Sequence, residues 1–377
     1  MHHRGKDDER TGQRLLRRRF GEGEPDPERR QRRIERADEG RFDGRQQPCA
    51  EGEERQSGRR VHQAEQGQVK QVGTGDIERL AEGQGNQTAC KRRQAGRRQH
   101  GNVWKAAGEL GFGAIYVSEE SGGTGLGRLE AALIMEAMAY GCPTTSAFIS
   151  IHNMAAWMID CFGNAELKAR YLPDLVPMNK IASYCLTEPG SGSDAAALKT
   201  TARRDGDHYV LNGTKQFISG AGYNDVYVVM VRTGDEKAKG ISCLVVDKDT
   251  PGLSFGVPEK KLGWNASPTA QVIFEDCRVP VANRVGAEGD GFRFAMMGLD
   301  GGRLNIGACS LGGAQRCLDE SIAYTKERQQ FGQPVSEFQN TQFMLADMAT
   351  DLEAARALLY IAAAKVTANA PDKSRFS

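Results

Sequence analysis

Apolar residues are sparse and aperiodic over residues 1–102, then recur with helical and strand spacings from Val103–Trp104 onward. The stretch WKAAGELGFGAIYV leads into a glycine-rich turn over Glu119–Gly127. In RLEAALIMEAMAY, positions Leu129, Ala132, Leu133, Met135 and Ala139 approximate one helical face. Two further helices are expected over about 145–162 and 165–172, the second closing before Pro173. From Ile181 to about Cys277 the period shortens. ASYCLTE, KTTARR, DHYVLNG, KQFISG, DVYVVMV, GISCLVV, LSFGV and AQVIFE read as strands, with turns at Asp205–Gly206, Asn212–Gly213 and Pro251–Gly252. That spacing predicts a compact antiparallel sheet or barrel. After Gly289 the helical period returns over about 290–328 and 336–369. In the second stretch Leu345, Met348, Leu352, Ala355, Leu359 and Ala362 form one stripe, as in a bundle helix. The chain therefore reads as α+β: a helical part over 103–180, a β domain over 181–285 and a helical bundle over 286–377.

Charge sharpens the break at residue 103. The whole chain of 377 residues is nearly balanced, 50 Lys+Arg against 49 Asp+Glu, which argues against a nucleic-acid binder. Residues 1–102 hold 21 Arg, 3 Lys and 18 acids but only 10 Leu, Ile, Val or Phe, too few to offset the entropy of ordering. That segment is expected to be disordered, and its Arg, Gly and Gln excess is what a GC-rich strand gives when translated out of frame. The start has no apolar core of a signal peptide, and no stretch reaches a transmembrane length, so no membrane partner is expected. Nine cysteines, scattered and without a C-x-x-C pair, fit a reducing compartment and argue against structural zinc.

Three motifs carry candidate chemistry. In Tyr184-Cys185-Leu186-Thr187-Glu188-Pro189-Gly190-Ser191-Gly192-Ser193, a strand ends in a turn whose glycines admit a ligand close to the backbone. Its N–H groups suit a pyrophosphate, and the Thr187 hydroxyl suits the edge of a planar cofactor. Taken alone, such a turn is more often a plain loop. On a second strand Phe217, Ile218 and Ser219 follow Lys215, with Phe217 a core residue by default. The second motif is Leu299-Asp300-Gly301-Gly302-Arg303. Phe292, Met296, Leu299, Arg303 and Ile306 share one helical face, which puts a guanidinium on an apolar stripe and calls for an anion. Asp300, one turn earlier, supplies part of it as the plain reading. Each glycine costs about 1 kcal/mol in a helix interior, so a phosphate-bearing ligand passing close by would explain both. The third motif, Arg328-Gln-Gln-Phe-Gly-Gln-Pro334 with Phe338 and Gln339, is either a helix stop at Gly332 or a nucleotide-holding corner.

Together CLTEPGSGSDAAA, KQFISGAG, IFEDCRVP, LDGGRLNIGA and RQQFGQP resemble the acyl-CoA dehydrogenases over about residues 104–369. The resemblance implies FAD between the β domain and a four-helix bundle, in a homotetramer. It implies that Tyr184 through Ser193 line the flavin with Thr187 at its reactive edge, and that Phe217, Ile218 and Ser219 continue that wall. Ser193, Asp300, Gly301, Gly302 and Arg303 would contact the acyl-CoA, and Arg328, Phe338 and Gln339 the FAD of a neighbouring subunit. The implied reaction is α,β-dehydrogenation of a short branched acyl-CoA such as isobutyryl-CoA, in valine breakdown, with electrons passed to electron-transferring flavoprotein. The implied place is the cytoplasm in a bacterium or the mitochondrial matrix in a eukaryote. No catalytic residue is assigned. The family's base is a Glu that falls beyond Ser377 or, in a minority, directly before the Arg that is Arg303 here, a position occupied by Gly302. A bundle reduced to about two helices is therefore expected to hold little FAD and to be inactive alone. The alternatives are a non-catalytic acyl-CoA- and FAD-binding remnant, an assembly partner of an intact subunit, or another flavin enzyme on this scaffold. The match to the dehydrogenase motifs disfavours the last.

Overall fold

The computed structural model of the protein describes residues 103–368. The expectations for 1–102 and for the last residues of the chain lie outside them. A helical stretch over 103–109 and a single 3-10 turn at Glu119–Ser121 precede three helices: α1 (Arg128–Gly141), α2 (Pro143–Phe162) and α3 (Ala165–Leu175). Pro143 opens α2, where its missing N–H costs nothing. Asn164 caps α3 by accepting the Leu167 N–H at 2.9 Å. The third helix runs through Pro173 to Leu175 rather than stopping before the proline. Pro173 removes one ladder bond, but Leu172 and Leu175 are both buried in the core and hold the last turn.

The β domain holds β1 (Ala182–Cys185), β2 (Thr201–Asp205), β3 (His208–Ser219), β4 (Val226–Arg232), β5 (Ile241–Asp247), β6 (Leu253–Phe255), β7 (Thr269–Pro280) and β8 (Arg284–Val285). They form one sheet in the order β6-β7-β3-β2-β4-β5-β8, with β1 joined to β4. The ladders are antiparallel except that β1 lies parallel to β4, and β2 meets β4 in one parallel pair. Both faces are covered, so β4 and β5 read as continuous apolar runs. Val226, Val228 and Met230 point towards α2 and α3, while Tyr227, Val229 and Val231 pack with residues of β3 and β7. Asp205–Gly206 and Pro251–Gly252 do form turns, but Asn212–Gly213 does not. It is a register shift inside the 12-residue β3, where a side chain at Gly213 would stand 2.6 Å from Thr200 Oγ1.

The chain then enters α4 (Gly291–Glu327), a hairpin of β9 (Gln329–Gln330) and β10 (Gln333–Pro334), and α5 (Gln339–Thr367). Gly332, at φ 81°, makes the hairpin turn with Phe331 rather than stopping a helix. Gly312 lets α4 approach α1, since a Cβ there would lie 2.1 Å from the Glu136 carbonyl oxygen. The expected stripe on α5 is divided: Leu345, Leu352 and Leu359 pack against Leu311, Leu318 and Ile322 of α4, and Ala362 is buried, but Met348 and Ala355 are exposed.

Candidate functional site

A cavity of about 650 Å³ opens between the sheet-side turn after β1 and the first turns of α4. One wall is Tyr184, Leu186, Thr187, Gly192 and Ser193 with Phe217, Ile218 and Ser219 at the end of β3. The facing wall is Phe292, Met296, Leu299, Gly302, Arg303 and Ile306 of α4, and Ile151 and Met154 of α2 contribute as well. Thr187 and Arg303, separated by the whole β domain in sequence, therefore line one cleft.

The sheet wall is built from two strand ends. Strand alternation sends Tyr184 and Leu186 to the cavity side and Cys185 to the opposite face, where it is buried among Tyr209, Leu211 and Tyr227. Cys185 is thus not part of the wall, and burial raises its thiol pKa. The Tyr184 hydroxyl is buried with no hydrogen-bond partner among the described residues, and burial pushes its pKa up, so it keeps its proton and has one O–H to donate. After Thr187 the turn folds on itself: Glu188 and Ser191 exchange both backbone N–H···O bonds, at 2.9 and 3.1 Å. Pro189 and Gly190 project outward, and the buried Ser191 hydroxyl donates to the Asp194 carbonyl at 2.6 Å. None of these four residues lines the cavity.

Glu188 instead forms a buried ion pair, absent from the motif reading. Lys215 Nζ, on β3, donates to Glu188 Oε1 at 2.7 Å and to the Leu186 carbonyl at 3.1 Å. Burial pushes the Glu188 carboxyl pKa up, but the Lys215 charge and hydrogen bonds from Lys215, Thr200 and Lys199 outweigh it and hold the group ionised. The sequence signal was a charged residue at an inward position of a β-run. Two residues on, Phe217 adopts φ 58° at a register shift, and its ring is 62% exposed at the cavity instead of entering the core.

On α4 the expected buried guanidinium is corrected: Arg303 is 53% exposed at the cavity rim and pairs with Asp300 at 3.1 Å, one helical turn away. The two glycines also separate. Gly302 faces the cavity, whereas Gly301 makes room for Arg128, whose Nη1 would lie 2.4 Å from a Cβ there. Arg128 stacks over the Tyr116 ring at 3.9 Å and the Trp157 ring at 5.0 Å. Neither Asp300 nor Gly301 lines the cavity. Arg328, Phe338 and Gln339 lie at the other end of α4, Arg328 about 37 Å along the axis from Arg303, and share no cavity with it. Among the described lining residues the one carboxylate is Asp194, exposed at the mouth.

Comparison with known proteins decides the family. Models of the acyl-CoA dehydrogenase N-terminal, middle and C-terminal domains match residues 76–179, 183–277 and 289–377. The chain belongs to the acyl-CoA dehydrogenase family. The first match begins at residue 76, ahead of the break at Val103. The chain is 61% identical over 272 residues to the mitochondrial isobutyryl-CoA dehydrogenase of Dictyostelium discoideum and 56% over 262 residues to that of Bos taurus. These alignments cover 72% and 70% of this chain, which spans 65% and 63% of those relatives' lengths. A chain in a solved structure described as the electron transferring flavoprotein of Acidaminococcus fermentans is 42% identical, with TM-score 0.71 and 73% of each chain covered. The helical, β and helical order of the chain follows the three matched domains.

Proposed function

We propose that the cavity between the β1 turn and α4 is a FAD and acyl-CoA site, and that the activity it serves is α,β-dehydrogenation of a short branched acyl-CoA of the isobutyryl type. The observation that carries this reading is the pairing of two unlike walls in one cleft. The sheet wall offers hydroxyls from Thr187 and Ser219, an exposed Phe217 ring and the unpartnered Tyr184 phenol, which fit the polar edge and flat face of a flavin. The α4 wall, with Met154 of α2 beside it, is apolar and ends in a half-exposed guanidinium, which fits an acyl chain and the phosphates that carry it.

Bound FAD would supply the two-electron acceptor. The chain's own residues do the rest by placement. Ile151, Met154, Leu299 and Ile306 exclude water around the acyl group, and Arg303 holds the carrier's phosphate end at the rim. A thioester α-proton is weakly acidic, so its removal needs a positioned base, which the resemblance implies is a carboxylate. Asp194 sits at the mouth, and the α4 position directly before Arg303, which faces the cavity, is Gly302. We propose that the described residues bind and orient the substrate without supplying that base.

The test is to install one. A Cβ at Gly302 meets only Met154 Sδ, at 3.4 Å, an ordinary contact, so a side chain can start there towards the cavity. With FAD added, isobutyryl-CoA should bleach the flavin's visible absorption in Gly302→Glu by at least about tenfold faster than in the unaltered chain. If flavin binds and Gly302→Glu stays unbleached, the substrate reading is wrong. Likeness to the Acidaminococcus structure supports an electron-transferring flavoprotein as acceptor. Assembly with further copies, into the tetramer the resemblance implies, is supported by the exposed apolar residues Phe343, Met344, Leu358 and Ile361 of α5. No described helix is long and apolar enough to cross a membrane. The mitochondrial relatives support the mitochondrion as the place of action in a eukaryote.

A further inference from the structure

Beneath the sheet wall lies the least expected polar feature among the described residues. The Lys215 side chain is fully buried and Glu188 nearly so. Taking two such charges out of water is costly, and an apolar pair of similar volume is often as stable or more so. Stability alone therefore gives little reason for an ion pair at this point of the sheet.

Its contacts give a different one. Lys215 Nζ bonds the carbonyl of Leu186 and the carboxylate of Glu188, so it grips the chain on both sides of Thr187. The two Glu188 oxygens also accept the N–H groups of Thr200 at 2.9 Å and Lys199 at 2.6 Å, tying down the far end of the turn. The next residue, Gln216, donates its N–H to the Thr187 carbonyl at 2.8 Å. Directly after it, the register shift turns the Phe217 ring towards the cavity. One ammonium thus joins two segments that are distant in sequence and that form the two halves of one wall.

We propose that Lys215, through Glu188, is a positioning residue that locks residues 186–188 and 217–219 into a single preset surface for the flavin ring. The inference rests on the flavin reading above. A preset wall spares a bound planar group the entropy of ordering two loops.

The test uses the full chain with FAD added, and compares Lys215→Met, the neutral pair Lys215→Met/Glu188→Gln, and Leu167→Ala in the buried face of α3. Lys215→Met leaves a buried carboxylate alone and can fail to fold, whereas the neutral pair removes both charges together. The expected result is that the neutral pair melts no lower than Leu167→Ala. It should nevertheless bind FAD at least about tenfold more weakly than the unaltered chain and change the visible circular dichroism of the bound flavin. Amide hydrogen exchange should rise in peptides covering 186–200 and 216–219 and nowhere else. Leu167 does not line the cavity, so Leu167→Ala should bind FAD within about twofold of the unaltered chain.

Unchanged flavin affinity and unchanged exchange in the neutral pair would overturn the proposal. So would exchange that rises evenly along the chain. If the unaltered chain binds no FAD at all, the flavin reading falls. The exchange measurement then decides the coupling by itself: local loss of protection at 186–200 and 216–219 supports it, and its absence ends it.

Discussion

Gly301 and Gly302 are neighbours in α4, yet the side chain each lacks would meet a different environment. At Gly302 a methyl group would touch Met154 Sδ at 3.4 Å and otherwise face the cavity. Gly302→Ala should therefore gain most of the helix-propensity difference, up to about 1 kcal/mol. At Gly301 the same methyl would fall 2.4 Å from Arg128 Nη1, and that guanidinium is held against the rings of Tyr116 and Trp157. Gly301→Ala should lose about 1–3 kcal/mol as the stack is pushed apart. Urea unfolding of the two variants checks this, and midpoints that move in the same direction would contradict it. The motif reading assigned both glycines to a ligand because a single chain shows the cost of a glycine but not what fills the space. Arg303 follows the same logic. The helical period correctly put it on the apolar stripe, but the stripe runs out at the rim of the cavity, where water and Asp300 take the charge. Alternation along β1 was legible too, and it separates Tyr184 and Leu186 from Cys185. Only the fold shows that Glu188 turns inward to Lys215, since no local pattern pairs residues 27 positions apart.

At the scale of elements, one imidazole ties three of them together. His152 of α2 is fully buried, and the Ala182 N–H of β1 donates to its Nδ1 at 3.0 Å. Nε2 therefore carries the proton and donates to the Leu175 carbonyl at the end of α3, at 2.9 Å. Protonating Nδ1 would break the bond to β1 and charge a group without solvent. Burial accordingly lowers its pKa from 6.5 to about 4, against the weaker opposite pull of the Leu175 carbonyl. In the unfolded chain the ring takes its proton near pH 6.5, and in the folded protein only near 4. Stability is thus whole above pH 6.5 and falls as the pH drops towards 4, by about 3 kcal/mol at the lower limit. His152→Gln, which does not titrate, should flatten the dependence of the unfolding midpoint on pH across that window. An unchanged slope would mean other groups cause it. Asp160 and Glu188, both with pKa values held below the ordinary carboxylate range, lose their contributions only at lower pH. Local spacing foretold most of these elements because helix and strand periods are set by burial of one face. It failed where distant packing overrides local chemistry, at Pro173, whose turn is held by buried leucines, and at Asn212–Gly213, where Thr200 leaves no room for a side chain.

Across the whole described molecule, the long helix α4 is the element against which α1, α2, β5 and α5 all pack. A polar clamp fixes the helical end. Arg356 of α5 reaches Glu136 of α1 at 2.8 Å and Gln315 of α4 at 2.8 Å, and the Tyr360 hydroxyl donates to the other Glu136 oxygen at 2.7 Å. That clamp and the Leu345, Leu352 and Leu359 row fix which side of α5 faces inward. They leave Phe343, Met344, Met348, Leu358 and Ile361 outward, each about half exposed. A helix face with that much apolar area in water is a site of association. Replacing Met344 and Leu358 by Glu puts two charges on it without touching the inward row. Light scattering of the purified chain should then show a smaller average mass for Met344→Glu/Leu358→Glu than for the unaltered chain at equal concentration. The unfolding midpoint of the dilute protein should move little, because surface substitutions away from buried groups cost within about 0.5 kcal/mol. Equal masses would mean that this side of α5 is not what brings chains together. A fall in both mass and stability would instead show that the outward residues support α5 itself, and that the inward leucine row cannot hold it alone.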